Sequence, residues 1–269
     1  MAEEGREESK KRAVAIVLAA GQGKRMQSDV AKQFLPLGGK PLICYSLDVF
    51  EKSDLIDEII LVTSADAIDY CRSEIVYKYG YLKVSAVIEG GKERYHSVLE
   101  GLHAANHYTM HSAEVQEMNL DTEELGKPDY ALIHDGARPF VTEEIIERNL
   151  EALKKEKACV TGMPSKDTVK ISGEDGYVAD TPNRSTVWSI QTPQSFDFSV
   201  IYDAYRALSR TEREVLAAGI QITDDAMVVE HFGKVPVKLV EGSYENIKIT
   251  TPEDLDIAEI LLKRRTDYE

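Results

Sequence analysis

Short apolar runs alternate along this chain with longer stretches in which apolar residues recur every three or four positions. AVAIVLAA, from Ala13 to Ala20, is apolar throughout, as a strand buried on both faces of a parallel sheet must be. DEIILVT (Asp57 to Thr63), KVSAVIE (Lys83 to Glu89), YALIHD (Tyr130 to Asp135) and KACVTGM repeat that signature. Between them, PLICYSLDVFEKS predicts a helix with Pro41 at its first position. Further helices are predicted over Asp66 to Tyr79, Glu93 to His107 and Thr142 to Lys155. Thr142 is the expected N-cap of the last, with Glu143 and Glu144 at the positive end of its dipole.

From residue 164 to 188 the pattern changes. Thr, Ser, Gly and Asp dominate, and the β-prone pieces TVKIS, GYVAD and TVWSIQT lie between turns, which predicts a β-arm projecting from the main sheet. Two helical segments, the strand VPVKLVE and a last helix from Pro252 to Arg264 follow. Strands alternating with helices predict an α/β fold: a mixed, mostly parallel sheet flanked by helices. One domain is expected over 13–264, with charged tails at 1–12 and 265–269. The acidic, polar segment 108–128 reads as a surface insertion.

Composition narrows the function. The 269 residues hold 47 acids against 32 bases, a formal charge of −15, which repels nucleic acid unless a basic groove is concentrated locally. No apolar run approaches the roughly 20 residues needed to cross a bilayer. The first twelve residues lack the apolar stretch of a secretory signal, so a cytoplasmic protein is expected. Cys44, Cys71 and Cys159 are widely spaced and form no CxxC pair. They read as small core residues rather than as a disulfide framework, a zinc knuckle or a nucleophile.

Four clusters carry candidate chemistry near predicted strand ends, where open α/β sheets bind ligands. In LAAGQGKRM, Gly21 and Gly23 allow close backbone approach to an anion, and Lys24, Arg25 and the nearby Lys32 supply charge for a polyphosphate. The loop is neither a P-loop nor a full dinucleotide fingerprint, because Met26 stands where the third glycine would be. In EGGKERYHS, Gly90 and Gly91 expose backbone groups, and Ser97 is placed either to meet a base edge or to cap the helix. In IHDGARPF, Asp135 suits a hard cation and Arg138 a phosphate, the alternative being an Asp that caps the following turn. In NIKITTPEDL, Lys248 precedes a helix start with Thr251 as N-cap and Pro252 at its first position. His103, His107 and His111 fall four apart, but no carboxylate is fixed by the pattern and a metal site is not expected there. His134 alternates to the opposite strand face from Asp135, which points to a structural role. Thr223, Asp224 and Asp225 read as a helix start capped by Thr223 or Asp224.

Seven motifs in order, LAAGQGKRM with AKQF, EGGKERYHSVLEGL, HDGARPF, SKDTVK, VWSIQTPQSF, ITDDA and ENIKITTPEDLDIAE, extend the pattern from Ala13 to Lys263. In these the chain resembles the 2-C-methyl-D-erythritol 4-phosphate cytidylyltransferase family. The resemblance implies a nucleotide-diphospho-sugar transferase-like (Rossmann-like) fold, CTP as co-substrate, Mg²⁺, and a homodimer whose arms interlock. It implies transfer of CMP to the methylerythritol phosphate with release of pyrophosphate. By the same resemblance, Arg25 and Lys32 stabilise the CTP phosphates, and Arg184 and Lys248 position the acceptor. Asp135 lies near both metal and substrate, and Arg138, Thr168, Thr192 and Thr223 belong to the substrate site. Ala19, Ala20, Gly21, Gly91 and Ser97 form the cytidine pocket, with Gly23 in the nucleotide loop. Ribitol-5-phosphate cytidylyltransferases resemble the chain in the nucleotide loops, QTPQSF and NIKITTP, whereas SKDTVK and VWSIQTPQ favour the isoprenoid enzyme. A non-catalytic nucleotide-binding module would be expected to lose Arg25, Lys32, Asp135 and Lys248, all of which are present.

Overall fold

Every residue of β1 (Ala13–Ala19) except Leu18 is buried, with Ala13, Ala15 and Val17 in one core and Val14 and Ile16 in the other. That two-sided burial is what its unbroken apolar run required. The computed structural model describes residues 10–21, 31–107 and 127–266. After β1 come a ribbon of β2 (Pro36–Leu37) and β3 (Lys40–Pro41), helix α1 (Ile43–Lys52) and β4 (Glu58–Thr63). Helix α2 (Ile68–Tyr70) runs on as a π-helix over Cys71–Tyr77. β5 (Val84–Glu89), α3 (Arg94–His107), β6 (Tyr130–Asp135), α4 (Glu143–Leu153) and β7 (Ala158–Pro164) follow. Beyond them lie β8 (Ile171–Ser172), β9 (Val178–Asp180), β10 (Trp188–Asp197), α5 (Phe198–Ala217), α6 (Asp225–Val228), β11 (Lys238–Glu241) and α7 (Pro252–Thr266).

Seven strands form one sheet in the order β5-β4-β1-β6-β10-β7-β11. In register, Ile16 lies between Ile60 and Ile133, and β10 alone among these strands runs antiparallel to its neighbours. One face packs on α1, α4 and the π-helix through residues such as Leu47, Ile145 and Ile75. The other packs on α3 and α5 through Val98, Leu102, Ile201 and Tyr205. A smaller cluster of Leu37, Leu42, Phe140, Ile249 and Ala258 seats α7 beside the β2–β3 ribbon. Among the described residues, no helix is long and apolar enough to cross a membrane.

The mixed, mostly parallel sheet matches the expectation, with local corrections. Pro41 does not open α1: it pairs with Pro36 in the ribbon, and the helix starts at Ile43. Thr142 takes the extended N-cap conformation, but its side chain makes no cap hydrogen bond. Asp224, by contrast, does cap α6, its carboxylate accepting from Met227 N at 2.9 Å. The expected arm, about 164–188, carries the exposed β8–β9 pair, Ile171 facing Asp180. TVWSIQT, expected to belong to it, instead opens β10, because from Trp188 the backbone pairs with β7. Pro193 sits where that ladder shifts register between Ile190 and Gln194, a break that tolerates a residue without an N–H. VPVKLVE contributes only its last four residues as strand.

Some residues expected in the tails are engaged with the domain. Arg12 N donates to Asp129 Oδ2 at 2.9 Å, Lys10 pairs with Asp57 at 3.2 Å, and α7 continues to Thr266. Most of the predicted insertion, 108–126, lies outside the described residues. Lys127 and Pro128 lie within them, and Pro128 is buried. Cys44, Cys71 and Cys159 are free and buried, and burial pushes their thiols up to about 11, 11 and 12, so all three are core residues.

Candidate active site

The chain passes from β1 to β4 and β5 on one side, then returns to β6 on the other side of β1. Loops leaving the carboxyl ends of β1 and its neighbours diverge at such a switch point and leave a crevice. Here it is a cavity of about 760 Å³, lined by residues that follow β1, β4, β5 and β6, with Lys32 and Lys248 on its wall. That volume accommodates a nucleotide-sized ligand.

Part of the cavity wall is made of backbone. Gly90 N donates to Thr63 O at 2.7 Å, tying the loop after β5 to β4. A Cβ on Gly90 would lie 2.6 Å from Ser97 Oγ and 2.8 Å from Ala20 Cβ, and one on Gly91 would lie 2.2 Å from His96 Cβ. No side chain fits at either position without displacing the loop. Gly91 N donates to Ser97 Oγ at 3.1 Å, so the nearly buried Ser97 hydroxyl holds the loop in shape while lining the cavity.

The wall also carries charge. Asp135, at the tip of β6, is 8% exposed. Its Oδ1 accepts from Arg94 Nε at 3.1 Å and its Oδ2 from Lys248 Nζ at 2.6 Å. Burial alone would raise the Asp135 carboxyl, but the two cations outweigh it and hold the group far below the usual carboxylate range. Lys248 is fixed by the next residue, since Ile249 is buried and its N–H donates to Ala137 O at 2.9 Å. Lys32 opens a single 3-10 turn whose next residue, buried Gln33, donates its side-chain amide to the carbonyl of Ala19. The lysine is thereby set beside the end of β1.

Behind Asp135 runs a short relay. Asp135 N donates to Thr192 Oγ1 at 3.0 Å, Thr192 Oγ1 lies 3.1 Å from His134 Nδ1, and His134 Nε2 lies 3.0 Å from Arg138 O. The consistent proton arrangement is a neutral His134 donating from Nε2 and accepting at Nδ1. Burial pushes its pKa down to about 4, in keeping with that state.

The anticipated residues therefore divide. Ala20, Gly21, Lys32, Gly91, Ser97, Asp135 and Lys248 meet on the cavity wall. Ala19 is buried behind it with its carbonyl taken by Gln33. Thr192 is buried, its hydroxyl engaged with Asp135 and His134. Arg138 donates to the carbonyls of Asn246 at 2.7 Å and Ile190 at 3.4 Å, behind the cavity rather than on its wall. Thr168 and Arg184 are exposed on the arm, where Arg184 donates to Lys166 O at 3.2 Å. Thr223 is exposed just before α6, its hydroxyl 3.6 Å from Met227 Sδ. Gly23 and Arg25 lie outside the described residues.

One functional-looking residue, Arg94, was not singled out from the sequence, and Asp225 was read there only as part of a helix start. Arg94 links Asp135 to the fully buried Asp225, donating to both Asp225 oxygens at 2.9 Å. Both residues sit inside conspicuous motifs, but a pair 131 positions apart leaves no local signature.

A crevice at a sheet switch point, lined by glycine backbone and by lysines, defines a nucleotide-binding α/β protein of Rossmann-like build. Over residues 13–264 the chain matches the model of the family IspD, 2-C-methyl-D-erythritol 4-phosphate cytidylyltransferase, and it belongs to that family. It is 46% identical over 254 residues to the enzyme of that name from Lachnoclostridium phytofermentans, covering 94% of this chain and 97% of the relative. The Lachnospira eligens protein of the same name is also 46% identical, over 249 residues, covering 93% of this chain and 98% of the relative. Among solved structures, 4-diphosphocytidyl-2C-methyl-D-erythritol synthase from Anaerococcus prevotii aligns with a TM-score of 0.72 at 36% identity, covering 95% of this chain and 100% of that one. The Thermus thermophilus 2-C-methyl-D-erythritol 4-phosphate cytidylyltransferase aligns at 0.67 and 27% identity, covering 92% and 98%.

Proposed function

We propose that this chain transfers CMP from CTP to 2-C-methyl-D-erythritol 4-phosphate, acting in the cytoplasm as a homodimer. The observation that carries the reading is one cavity lined both by Lys32, Lys248 and Asp135 and by the Gly90–Gly91 backbone with Ser97. Cytosine presents hydrogen-bonding edges that backbone groups can read, so it takes the glycine end. The triphosphate takes the lysine end.

An oxygen of the acceptor phosphate attacks the α-phosphorus. A new P–O bond forms as the bond to the bridging oxygen of pyrophosphate breaks. The acceptor phosphate is already ionised at neutral pH, so no general base is required. The barrier is repulsion between two anions. Lys32 and Lys248, with Arg25 in the nucleotide loop, offset it by position and charge.

Three carboxylates, Glu89, Glu93 and Asp135, line the cavity, and of these only Asp135 is buried. No cluster of three or more metal-ligating side chains occurs among the described residues. That donor set fits Mg²⁺, which keeps much of its water and takes one or two carboxylates plus phosphate oxygens. Asp135 would hold the ion against the nucleotide phosphates. When bound, the ion would neutralise charge on the triphosphate.

Exposed Ile171, Tyr177 and Val178 on the arm give an apolar surface suited to a second copy, and Thr168 and Arg184 would then face that copy's acceptor site. The test is pyrophosphate release from CTP with methylerythritol phosphate or ribitol phosphate. Release that requires an acceptor and is faster with methylerythritol phosphate is expected. Preference for ribitol phosphate, or release independent of acceptor, refutes the assignment.

A further inference from the structure

All three nitrogens of the Arg94 guanidinium already face protein carboxylates. Nη1 and Nη2 donate to Asp225 Oδ1 and Oδ2 at 2.9 Å, and Nε donates to Asp135 Oδ1 at 3.1 Å. Three of the five N–H donors of Arg94, which lines the cavity, are thereby committed to protein carboxylates.

Asp225 has no freedom to follow a moving arginine. It is completely buried, and the Tyr205 hydroxyl, itself 1% exposed, donates to its Oδ1. Its backbone N–H and that of Ala226 both donate to Gln194 Oε1 at 3.0 Å. The amide of Gln194 in turn donates to Asp224 Oδ2 at 3.1 Å. The carboxylate is thus held from α5 by Tyr205, and the backbone that carries it from β10 by Gln194. A two-pronged bond to a fixed carboxylate sets the plane of a guanidinium as well as its position.

Buried ion pairs stabilise a fold weakly, since desolvation offsets most of their attraction. This one has a geometric consequence: it aims Nε at the acid on the cavity wall. We propose that Asp225, held by Tyr205 and Gln194, is a positioning residue that acts through Arg94 to fix the Asp135 carboxylate at the reacting end of the cavity. The catalytic part of this inference rests on the cytidylyltransferase reading. The clamp itself does not.

Two measurements on the full chain test it. In ¹⁵N NMR, Asp225→Asn should shift the Arg94 Nε–H signal, assigned by its loss in Arg94→Met, and speed its exchange with water. In CTP- and acceptor-dependent turnover, Asp225→Asn should lower kcat roughly 10- to 100-fold, as loss of an outer-sphere partner does. If Asp225 acts only through Arg94, adding Asp225→Asn to Arg94→Met should lower kcat by no more than about twofold further. Losses that multiply, or a kcat for Asp225→Asn within about twofold of wild type, overturn the proposal.

Should Asp225→Asn fail to fold, Tyr205→Phe keeps every charge and removes one hydroxyl. It should shift the same Nε–H signal and cost roughly 3- to 10-fold in kcat, and an unmoved signal with unchanged kcat again overturns the clamp. A wild-type chain without turnover would refute the functional reading, and the NMR signal would still decide whether Asp225 holds Arg94.

Discussion

Asp135 and Arg184 are both charged residues assigned to one reaction, yet they are held in opposite ways. Asp135 stands at the tip of a buried parallel strand, 8% exposed, with Arg94 and Lys248 on its two oxygens. Arg184 is exposed on the arm, where its guanidinium donates to the carbonyl of Lys166 on the same arm. The cavity gathers residues from Ala20 to Lys248 because sheet order and crossover direction bring those strand ends together. Those residues meet within one chain. The arm carries Arg184 in an exposed 3-10 turn, beside a two-stranded ribbon whose Ile171 and Val178 are exposed.

Lys32→Ala tests the cavity side most severely. It should lower kcat at saturating CTP at least about a hundredfold, by analogy with removing an oxyanion-hole donor. Near-wild-type turnover would remove Lys32 from the mechanism.

On the arm, Arg184→Ala should lower kcat/KM for the acceptor roughly 10- to 100-fold, as expected for one lost charge-assisted contact. The contrast sharpens when the two impaired variants are mixed, allowed to exchange subunits and assayed at subsaturating acceptor. If the arm serves the other copy, mixed dimers contain one pocket with both residues intact, and about a quarter of the wild-type rate returns. No recovery in exchanged dimers would place Arg184 at its own pocket or outside the reaction.

Gly91→Ala probes the backbone end. The added Cβ would lie 2.2 Å from His96 Cβ, so the loop must shift. KM for CTP should rise roughly tenfold, matching an overpacking cost of about 1–2 kcal/mol, with a smaller change in kcat. An unchanged KM would mean that cytosine binds elsewhere.

The smallest effect concerns the thiols. Cys44, Cys71 and Cys159 are buried, with thiols pushed up to about 11, 11 and 12. A disulfide reagent at pH 8 should leave all three unmodified in the native chain and label all three in denaturant. Labelling of the native chain that lowers activity would contradict their assignment to the core.

The contrast between cavity and arm also explains what could be read from the chain. β1 and β6 were legible because burial on both faces demands unbroken apolar runs, and Asp135 because an acid at a strand tip breaks such a run. β10 was misjudged at its start. Ser189 and Ile190 are exposed there, and the register shift before Gln194 erases the alternation that marks a strand. Pro41 fits a helix start equally well as ribbon, and only its pairing with Pro36 decides between them. Arg94 stayed hidden for a different reason. Its role comes from Asp225, and nothing local in EGGKERYHS specifies which distant carboxylate will meet it.

A structure of the chain with CTP bound tests the central claim most directly. Cytosine against Gly91 and Ser97, with phosphates beside Lys32 and a cation at Asp135, is the predicted result. CTP held away from that cavity, or bound with its phosphates at the glycine end and its base among the lysines, would contradict the account.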